Sequence, residues 1–413
     1  MDSQVIIIGG GAAGIFGAIR LAELCPETKV TILEAQSKPL GKLKISGGGR
    51  CNLTHDCHDP RRLIQAYPRG QKELLGPFSQ FKVSDTWDWF ESRGLPLKIE
   101  ADGRVFPQSD SSQSVIDLFY SEMEDKKIEL RTGCRVQEIS KNNEKFQVVL
   151  KNEILKADRI ILATGSLKSS YELALCLGHQ LVDPVPSLFS FELSEDWLKG
   201  LEGLSFQNIN ATLKIGEKRF HQKDPALITH WGMSGPLIIR LSAWAARELH
   251  DSNYRADLLL DFFPEMTHEA LSRHLERRRQ EAPNKKISND ICLKIPKRFW
   301  QRLCDKLNLG DVIWAQLSKK SFRELNEGLK NLKLNVSGKG IFKEEFVTCG
   351  GIPRHEIDFR TMESKKCAGL YFAGELVDVD GITGGFNFQF AWTSSFIAAN
   401  SIAKSLITKK SNA

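Results

Sequence analysis

"VIIIGGGAAGIFGAIRLAEL", residues 5–24, decides how the rest of the chain is read. Val5-Ile6-Ile7-Ile8 is a β-branched run that asks for a buried strand, and Gly9-Gly10-Gly11 stops it. From residue 12 to residue 24 the apolar positions recur at helical spacing. A second β-branched run, residues 30–33, ends on Glu34. Strand, tight turn, helix and strand in about thirty residues make one βαβ unit.

Gly9, Gly11 and Gly14 stand at G-x-G-x-x-G spacing, with Ala13 inside the motif. The first glycine permits the sharp turn and the second lets the backbone approach a pyrophosphate. The third lets the helix pack on the sheet, and that helix aims its unpaired N–H groups at the phosphates. Glu34 follows Gly14 by twenty residues, where a carboxylate accepts hydrogen bonds from ribose hydroxyls. A dinucleotide site is therefore expected; the alternative is a glycine-rich turn in an ordinary α/β sheet.

At 413 residues the chain exceeds one simple core, so two domains are expected. Its 41 % apolar and 26 % charged content fits a globular protein rather than a disordered one. The net charge of +6 is a weak pointer to an anionic partner. Nine scattered cysteines without a CxxC pair argue against a disulfide framework or a zinc site, so no metal is expected. A reducing, cytoplasmic setting follows. The start lacks a basic signal-peptide region, and no run approaches the roughly 18 apolar residues of a membrane span.

Two further strand-like runs end on glycine: residues 159–162 lead into Ala163-Thr164-Gly165, and 369–372 into Ala373-Gly374-Glu375. Together with the opening motif they suggest a long ligand touched by distant segments, which favours FAD over NAD as the tightly held cofactor. Gly381-Ile382-Thr383-Gly384-Gly385 precedes a helical stretch starting at Phe386, whose N-terminus would offer amides and partial positive charge to a flavin ring. Between Pro186 and Gly338 the pattern changes. Residues 189–264 read as mainly strands and 265–343 as mainly helical and basic. The expected plan is a discontinuous cofactor domain, 1–188 with 344–413, split by an inserted domain, 189–343.

The stretch "SGGGRCNLT", residues 46–54, is a second glycine-rich segment. With IIGGGAAG, GRVFPQSDSSQSV (103–115), THWGMSGP (229–236), VTCGGI (347–352) and LYFAGELVDVDGITGGFNFQFAWTSS (370–395), it runs nearly the whole chain. These segments, in this order, resemble the BaiN/RdsA-like NAD(P)/FAD-dependent oxidoreductases. The resemblance implies an α/β fold: a glutathione-reductase-like Rossmann FAD domain interrupted by a β-barrel-like insert with a small helical bundle. It implies FAD contacts from Lys42, Ser46, Gly47, Gly48, Gly49 and Arg50, and from Val136, Thr164, Glu375, Asp380 and Phe386. Lys42 is followed by Leu43, where a second lysine is common in the family.

The resemblance also implies oxidoreductase chemistry on a small organic molecule, with NAD(P)H as a transient co-substrate or oxygen as acceptor. A monomer or homodimer is expected. Arg50 would hold positive charge near the flavin or an acidic substrate group; the alternative is an arginine paired to a surface acid. His230, among glycines and a serine, is a candidate proton carrier or a histidine held inside a turn. Asp378 and Asp380 either bind ribityl hydroxyls or cap a turn. Arg104, Phe106 and Pro107 either line the active-site side or form a hairpin. Cys51 has no partner at exchange-motif spacing. The basic run 273–286 reads first as a solvated helix face, which makes nucleic acid an unlikely partner. An RNA-linked flavoprotein is the second reading, with the basic insert docking a structured RNA.

Overall fold

The computed structural model describes residues 3–340 and 347–411. Strand Gln4–Ile8 lies at the middle of a seven-stranded sheet, parallel to Lys29–Leu33 on one side and Arg159–Leu162 on the other. Leu370–Phe372 extends the parallel set beyond Arg159–Leu162, and Glu129–Arg131 extends it beyond Lys29–Leu33. Ile357–Asp358 and Glu363–Ser364 finish one edge as an antiparallel hairpin.

A parallel sheet needs both faces covered. Helix Ala12–Leu24 packs against the long C-terminal helix Phe386–Ser411 on one face. A three-stranded meander, Glu138–Asn142, Lys145–Val149 and Ile154–Ala157, packs against the strands elsewhere, with Phe146 fully buried. Ile6, Ile7, Ile160 and Ile161 are wholly buried, each worth about 1.5–3 kcal/mol of apolar transfer.

The chain divides into two units, Met1–Pro184 with Val347–Ala413, and Val185–Phe346. The first boundary falls a few residues before the one expected from the sequence. The second expected boundary, between 343 and 344, lies outside the described residues.

The inserted unit holds a closed six-stranded barrel in the order Phe191–Leu193, Gly232–Ser234, Lys218–Thr229, Ser205–Ile215, Ala256–Asp261, Leu332–Lys339. The last strand alternates buried and exposed residues, as a barrel wall demands. It lies beyond the helices His268–Glu281, Lys297–Lys306 and Lys319–Lys330, so the strand-rich and helical halves expected from the sequence interleave. Helices Pro236–Trp244 and Ala246–Asp251 likewise sit inside the strand-rich half. The helical part has its own centre: Trp300 donates to Ile287 O and Trp314 to Asp290 Oδ2, each at 2.8 Å.

One buried polar knot ties the sheet edge to the preceding helix. His179 Nδ1 meets Glu356 Oε2 at 2.8 Å, and its Nε2 meets Ser364 Oγ at 2.8 Å. These partners fix the neutral tautomer with Nδ1–H donating to the carboxylate. Ser364 Oγ also accepts from the amides of Lys366 and Cys367, so it is saturated and not poised as a nucleophile. Burial holds the His179 pKa below its ordinary 6.5, against the opposing pull of Glu356. The unfolded chain therefore binds the proton first as pH falls. The stability His179 contributes is present above about pH 6.5 and is lost progressively below it. Urea melts of wild type and His179→Gln are expected to diverge in their pH dependence between about pH 7 and 5, with the variant flatter.

Candidate functional site

The opening motif has the geometry its spacing predicts. Gly9 turns at φ +110°, and a Cβ there would lie 2.4 Å from Ala163 O, so the turn presses directly on the 163–165 segment. A Cβ on Gly14 would lie 2.0 Å from Gly9 O, which makes that position a close approach of helix to turn. Gly11 is different. A Cβ there would meet nothing within 4 Å, and it caps helix Ala12–Leu24 without any side-chain acceptor for the first-turn amides. Open space faces uncapped helix amides, which is the donor set a pyrophosphate takes.

Glu34 stands at the end of its strand and is tied to the motif. Its Oε2 accepts from Gly10 N at 2.6 Å and its Oε1 from Gln36 N at 2.7 Å. Each oxygen keeps a second lone pair for a ribose hydroxyl. Val136 sits half-buried one short segment away, where Cys134 N donates to Glu34 O at 2.8 Å.

Other remote segments meet at the same end of the sheet. Lys42 Nζ contacts Glu375 Oε2 at 2.5 Å and Ser166 Oγ at 3.1 Å, while Glu375 Oε1 accepts from Thr348 N at 3.0 Å. Gly374 comes so close to the opening helix that a Cβ on it would lie 3.1 Å from Ala13 Cβ. Thr164 Oγ1 is buried with no hydrogen-bond partner among the described residues. An orphaned hydroxyl beside an open glycine turn is the kind of group a bound ligand satisfies.

Residues 41–49 begin as a helix, then leave helical geometry at Ser46, Gly47 and Gly48. Gly48 and Gly49 have positive φ, are exposed, and have open space where side chains would be. Ser46 Oγ is turned back to Leu43 O at 2.8 Å. Arg50 stacks over Phe106 at 4.0 Å and pairs with Glu100 Oε1 at 2.5 Å, with Asp110 at 3.5 Å. Its charge is thus shared with two acids while its side chain remains about one-third exposed. Arg104 pairs with Glu100 and Asp102, and Arg104–Pro107 is the second strand of a hairpin with Leu97–Ile99. Burial pushes the Cys51 thiol up to about 12, against a lowering hydrogen bond from Ser46, so it stays protonated and unreactive.

The C-terminal glycine turn is fixed by groups that sequence reasoning passed over. A Cβ on Gly385 would lie 2.4 Å from Thr54 O. With its amide oriented by its neighbours, Asn52 donates to Val105 O and Thr54 O and accepts from Gly385 N at 3.0 Å. His55 Nδ1 meets Gly384 O at 3.2 Å, and its ring stacks on Phe386 at 4.6 Å. Thr54 Oγ1 donates to Gln389 Oε1 at 2.6 Å, and Tyr67 to Phe386 O at 2.6 Å. The "CNLTH" tail of the second glycine motif is therefore the seat of the last helix. Its polar residues directly after three glycines were the available signal.

Asp380 is fully buried, and both its oxygens engage Arg69. Asp378 Oδ2 lies 3.0 Å from Arg354. His230 belongs to the inserted unit, in the turn between Lys218–Thr229 and Gly232–Ser234. Its side chain is 81 % exposed, with Nδ1 3.8 Å from Glu202. No disulfide joins the nine cysteines. Among the described residues no helix is long and apolar enough to cross a membrane, and no group of three or more His, Cys, Asp or Glu is placed to hold a metal ion.

The site residues of the first unit thus fit FAD, by the open Gly11, the uncapped amides and the orphaned Thr164 hydroxyl. A family model described as the HI0933-like protein Rossmann domain matches residues 3–401. The chain is similar to a ribosomal RNA dihydrouridine synthase of Escherichia coli (strain K12), 29 % identical over 97 % of this chain and 98 % of that one. It is equally similar to a 3-dehydro-bile acid delta(4,6)-reductase of Clostridium scindens, 29 % identical over 97 % of this chain and 99 % of that one. In fold it is similar to a 3-ketosteroid delta1-dehydrogenase of Sterolibacterium denitrificans, with TM-score 0.50 and 12 % identity over 98 % of this chain and 100 % of that one.

Proposed function

The chain belongs to the HI0933-like family of Rossmann-type FAD-binding oxidoreductases, and from that premise we propose that it is an FAD-dependent reductase of carbon–carbon double bonds conjugated to a carbonyl. The two relatives' names describe different substrates and one chemistry. Making dihydrouridine from uridine, and reducing a 4,6-unsaturated 3-oxo steroid, each adds a hydride and a proton across such a bond. The observation that carries the reading is the open cradle at Gly11, where free helix amides and distant glycine segments converge.

FAD, when bound, supplies two-electron hydride transfer. This chain's residues bind and orient. We propose that the turn at Gly9, Gly11 and Gly14 holds the pyrophosphate and Glu34 the adenosine ribose, with Val136 against the adenine. Lys42 and Glu375, already paired, would hold the middle of the cofactor with Ala163, Thr164 and Gly165. The bare backbone at Gly47, Gly48 and Gly49 and the amides of Gly384, Gly385 and Phe386 would flank the ring. Arg50, stacked on Phe106, is the proposed fixed cation, and His230 the proposed proton carrier. We further propose the glutathione-reductase-like form of the FAD domain, a cytoplasmic setting, and NAD(P)H as a transient reductant, since the sequence has one dinucleotide fingerprint.

The test is anaerobic. Holoprotein bleached by NADPH or NADH is mixed with cyclohex-2-enone and, separately, with a uridine-containing RNA hairpin. Return of the yellow absorbance with formation of the saturated product is expected for at least one acceptor. Return of colour only on admitting air, with no saturated product from either, overturns the reductase reading.

A further inference from the structure

Consecutive residues from Asn52 to His55 each give a polar group to the last segment of the chain. Leu53 O accepts from Trp392 Nε1 at 2.9 Å, and Thr54 Oγ1 donates to Gln389 Oε1 at 2.6 Å. Tyr67 adds its bond to Phe386 O at 2.6 Å. These buried bonds already seat the start of helix Phe386–Ser411. Asn52 and His55 act elsewhere. Asn52 accepts from Gly385 N at 3.0 Å, and His55 Nδ1 meets Gly384 O at 3.2 Å. A carbonyl only accepts, so Nδ1 carries the hydrogen. Gly384 C=O and Gly385 N–H belong to one planar peptide unit and point opposite ways. The two side chains therefore grip a single peptide by its opposite edges.

That peptide does not hold itself. Gly384 and Gly385 stand at φ +128° and +92°, with no side chain to restrict rotation at either. A stiffer residue has no room at Gly385, where a Cβ would lie 2.4 Å from Thr54 O. Ordering two adjacent glycines costs more backbone entropy than ordering any other pair, and hydrogen bonds at both edges offset part of it.

The grips are fixed in their turn. Thr54 and His55 pair with Val105 and Arg104 in a small sheet. The His55 ring stacks on Phe386 at 4.6 Å, and Gly103 leaves it room that a Cβ, 2.7 Å from Nε2, would take. Asn52 is 8 % exposed, and its amide also donates to Val105 O and Thr54 O. Gly47 presses on it from the second glycine-rich segment, where a Cβ would lie 3.0 Å from Asn52 N. Asn52 thus stands between the two glycine segments proposed to flank the ring. With Gly385 N engaged, the Gly384 and Phe386 amides donate to no described residue. The gripped peptide lies between them and sets the direction of both.

We propose that Asn52 and His55 are positioning residues for the redox chemistry of the cofactor: by fixing the 384–385 peptide they aim the Gly384 and Phe386 amides at the flavin ring. The proposal deepens the FAD-dependent reading above and rests on its placement of the ring at this turn. Two electrons and one proton added to a flavin leave a negative charge on the ring, which oriented amides at the positive end of a helix stabilise. The oxidised ring is neutral and gains little from them. The two side chains therefore favour reduced over oxidised cofactor and raise its midpoint potential, acting through the peptide.

The test is an anaerobic reductive titration of FAD-loaded full-length protein against a dye of known potential. H55F keeps a ring for the stack on Phe386 and removes the donor. H55N removes the ring and places an amide nitrogen where Nδ1 stands. H55F is expected to hold FAD at wild-type occupancy and to lose at least about tenfold of its preference for reduced over oxidised cofactor, a fall of about 30 mV in the two-electron midpoint. H55N should recover most of that fall. N52A should lower the midpoint likewise, and N52A/H55F should fall little further than either single variant, because both act on one peptide. The H55F and H55N pair decides the question even where N52A folds poorly. An unchanged midpoint in H55F, with or without a lower melting temperature, overturns the proposal and leaves the reductase reading intact. A midpoint in H55N as low as in H55F overturns it, as do shifts that add in full in the double variant. A wild type that takes up no FAD overturns the proposal and the reading beneath it together. A midpoint that follows the donor at position 55, in a protein whose bleached flavin no unsaturated acceptor re-oxidises, upholds the positioning role and fails the reductase reading.

Discussion

Gly11→Val is expected to give a folded, soluble and colourless protein. The position tolerates a side chain in the protein itself: its φ of −84° and ψ of −174° are extended backbone, and an added Cβ meets nothing within 4 Å. Restricting the unfolded chain there even favours the native state, by roughly 0.4–1 kcal/mol. What the valine fills is the space in front of the uncapped first turn of helix Ala12–Leu24, where the pyrophosphate is proposed to lie. FAD per protein should fall from near one to near zero while the melting temperature of the apoprotein stays at or a few °C above that of wild-type apoprotein. Gly14→Val is the contrast. Its Cβ would lie 2.0 Å from Gly9 O, a collision between backbone and side chain that only movement of the helix relieves. That variant should be insoluble or melt far below wild type, with or without FAD. A Gly11→Val protein that keeps stoichiometric FAD would displace the cofactor from this turn. A Gly14→Val protein that folds normally would show that the helix does not sit as closely on the turn as the structure places it.

The contrast also marks what sequence could and could not supply. The opening strand, turn, helix and second strand were legible because each follows from residues within a few positions of one another, and Glu34 kept the register. The partners of the site's charges were not. Lys42 and Glu375 are 333 residues apart, and Arg69 and Asp380 are 311 apart. No local period records such pairs; they exist only once the sheet has ordered its strands. Asn52 and His55 lay inside a quoted motif, yet their work is to seat the Gly384–Gly385 turn, which begins more than three hundred residues later. The barrel was partly legible from alternation, but its closing strand, Leu332–Lys339, follows the helices and joins Phe191–Leu193 at the far end of the insert. The basic run was visible as composition. Only the ion-pair geometry shows that Arg278 is spent on Asp290 and Arg279 on Glu276.

Arg69→Met and Asp380→Ala should each lower stability by about 3–5 kcal/mol, the usual consequence of leaving one member of a buried pair without the other. Asp380 has no solvent exposure and the Arg69 side chain only 14 %. The guanidinium meets the carboxylate with Nε on one oxygen and a terminal nitrogen on the other, the bidentate geometry that makes such pairs directional. Arg69 also forms an isolated β-bridge with Asp380, so side chains and backbone fasten the same two segments. For a unit of this size the loss corresponds to roughly 6–20 °C in melting temperature. The double variant Arg69→Met/Asp380→Leu removes both charges and their desolvation cost together, and it should recover most of the loss. The sequence placed Asp380 among the cofactor ligands, and the cycle separates that role from the structural one. A carboxylate that serves Arg69 alone gives a recovered double variant that binds FAD as wild type does. A carboxylate that also reaches the ribityl chain gives a double variant with restored stability and weakened FAD. A carboxylate that acts on the cofactor alone gives single variants with unchanged apoprotein melting temperatures, which the geometry of the pair argues against.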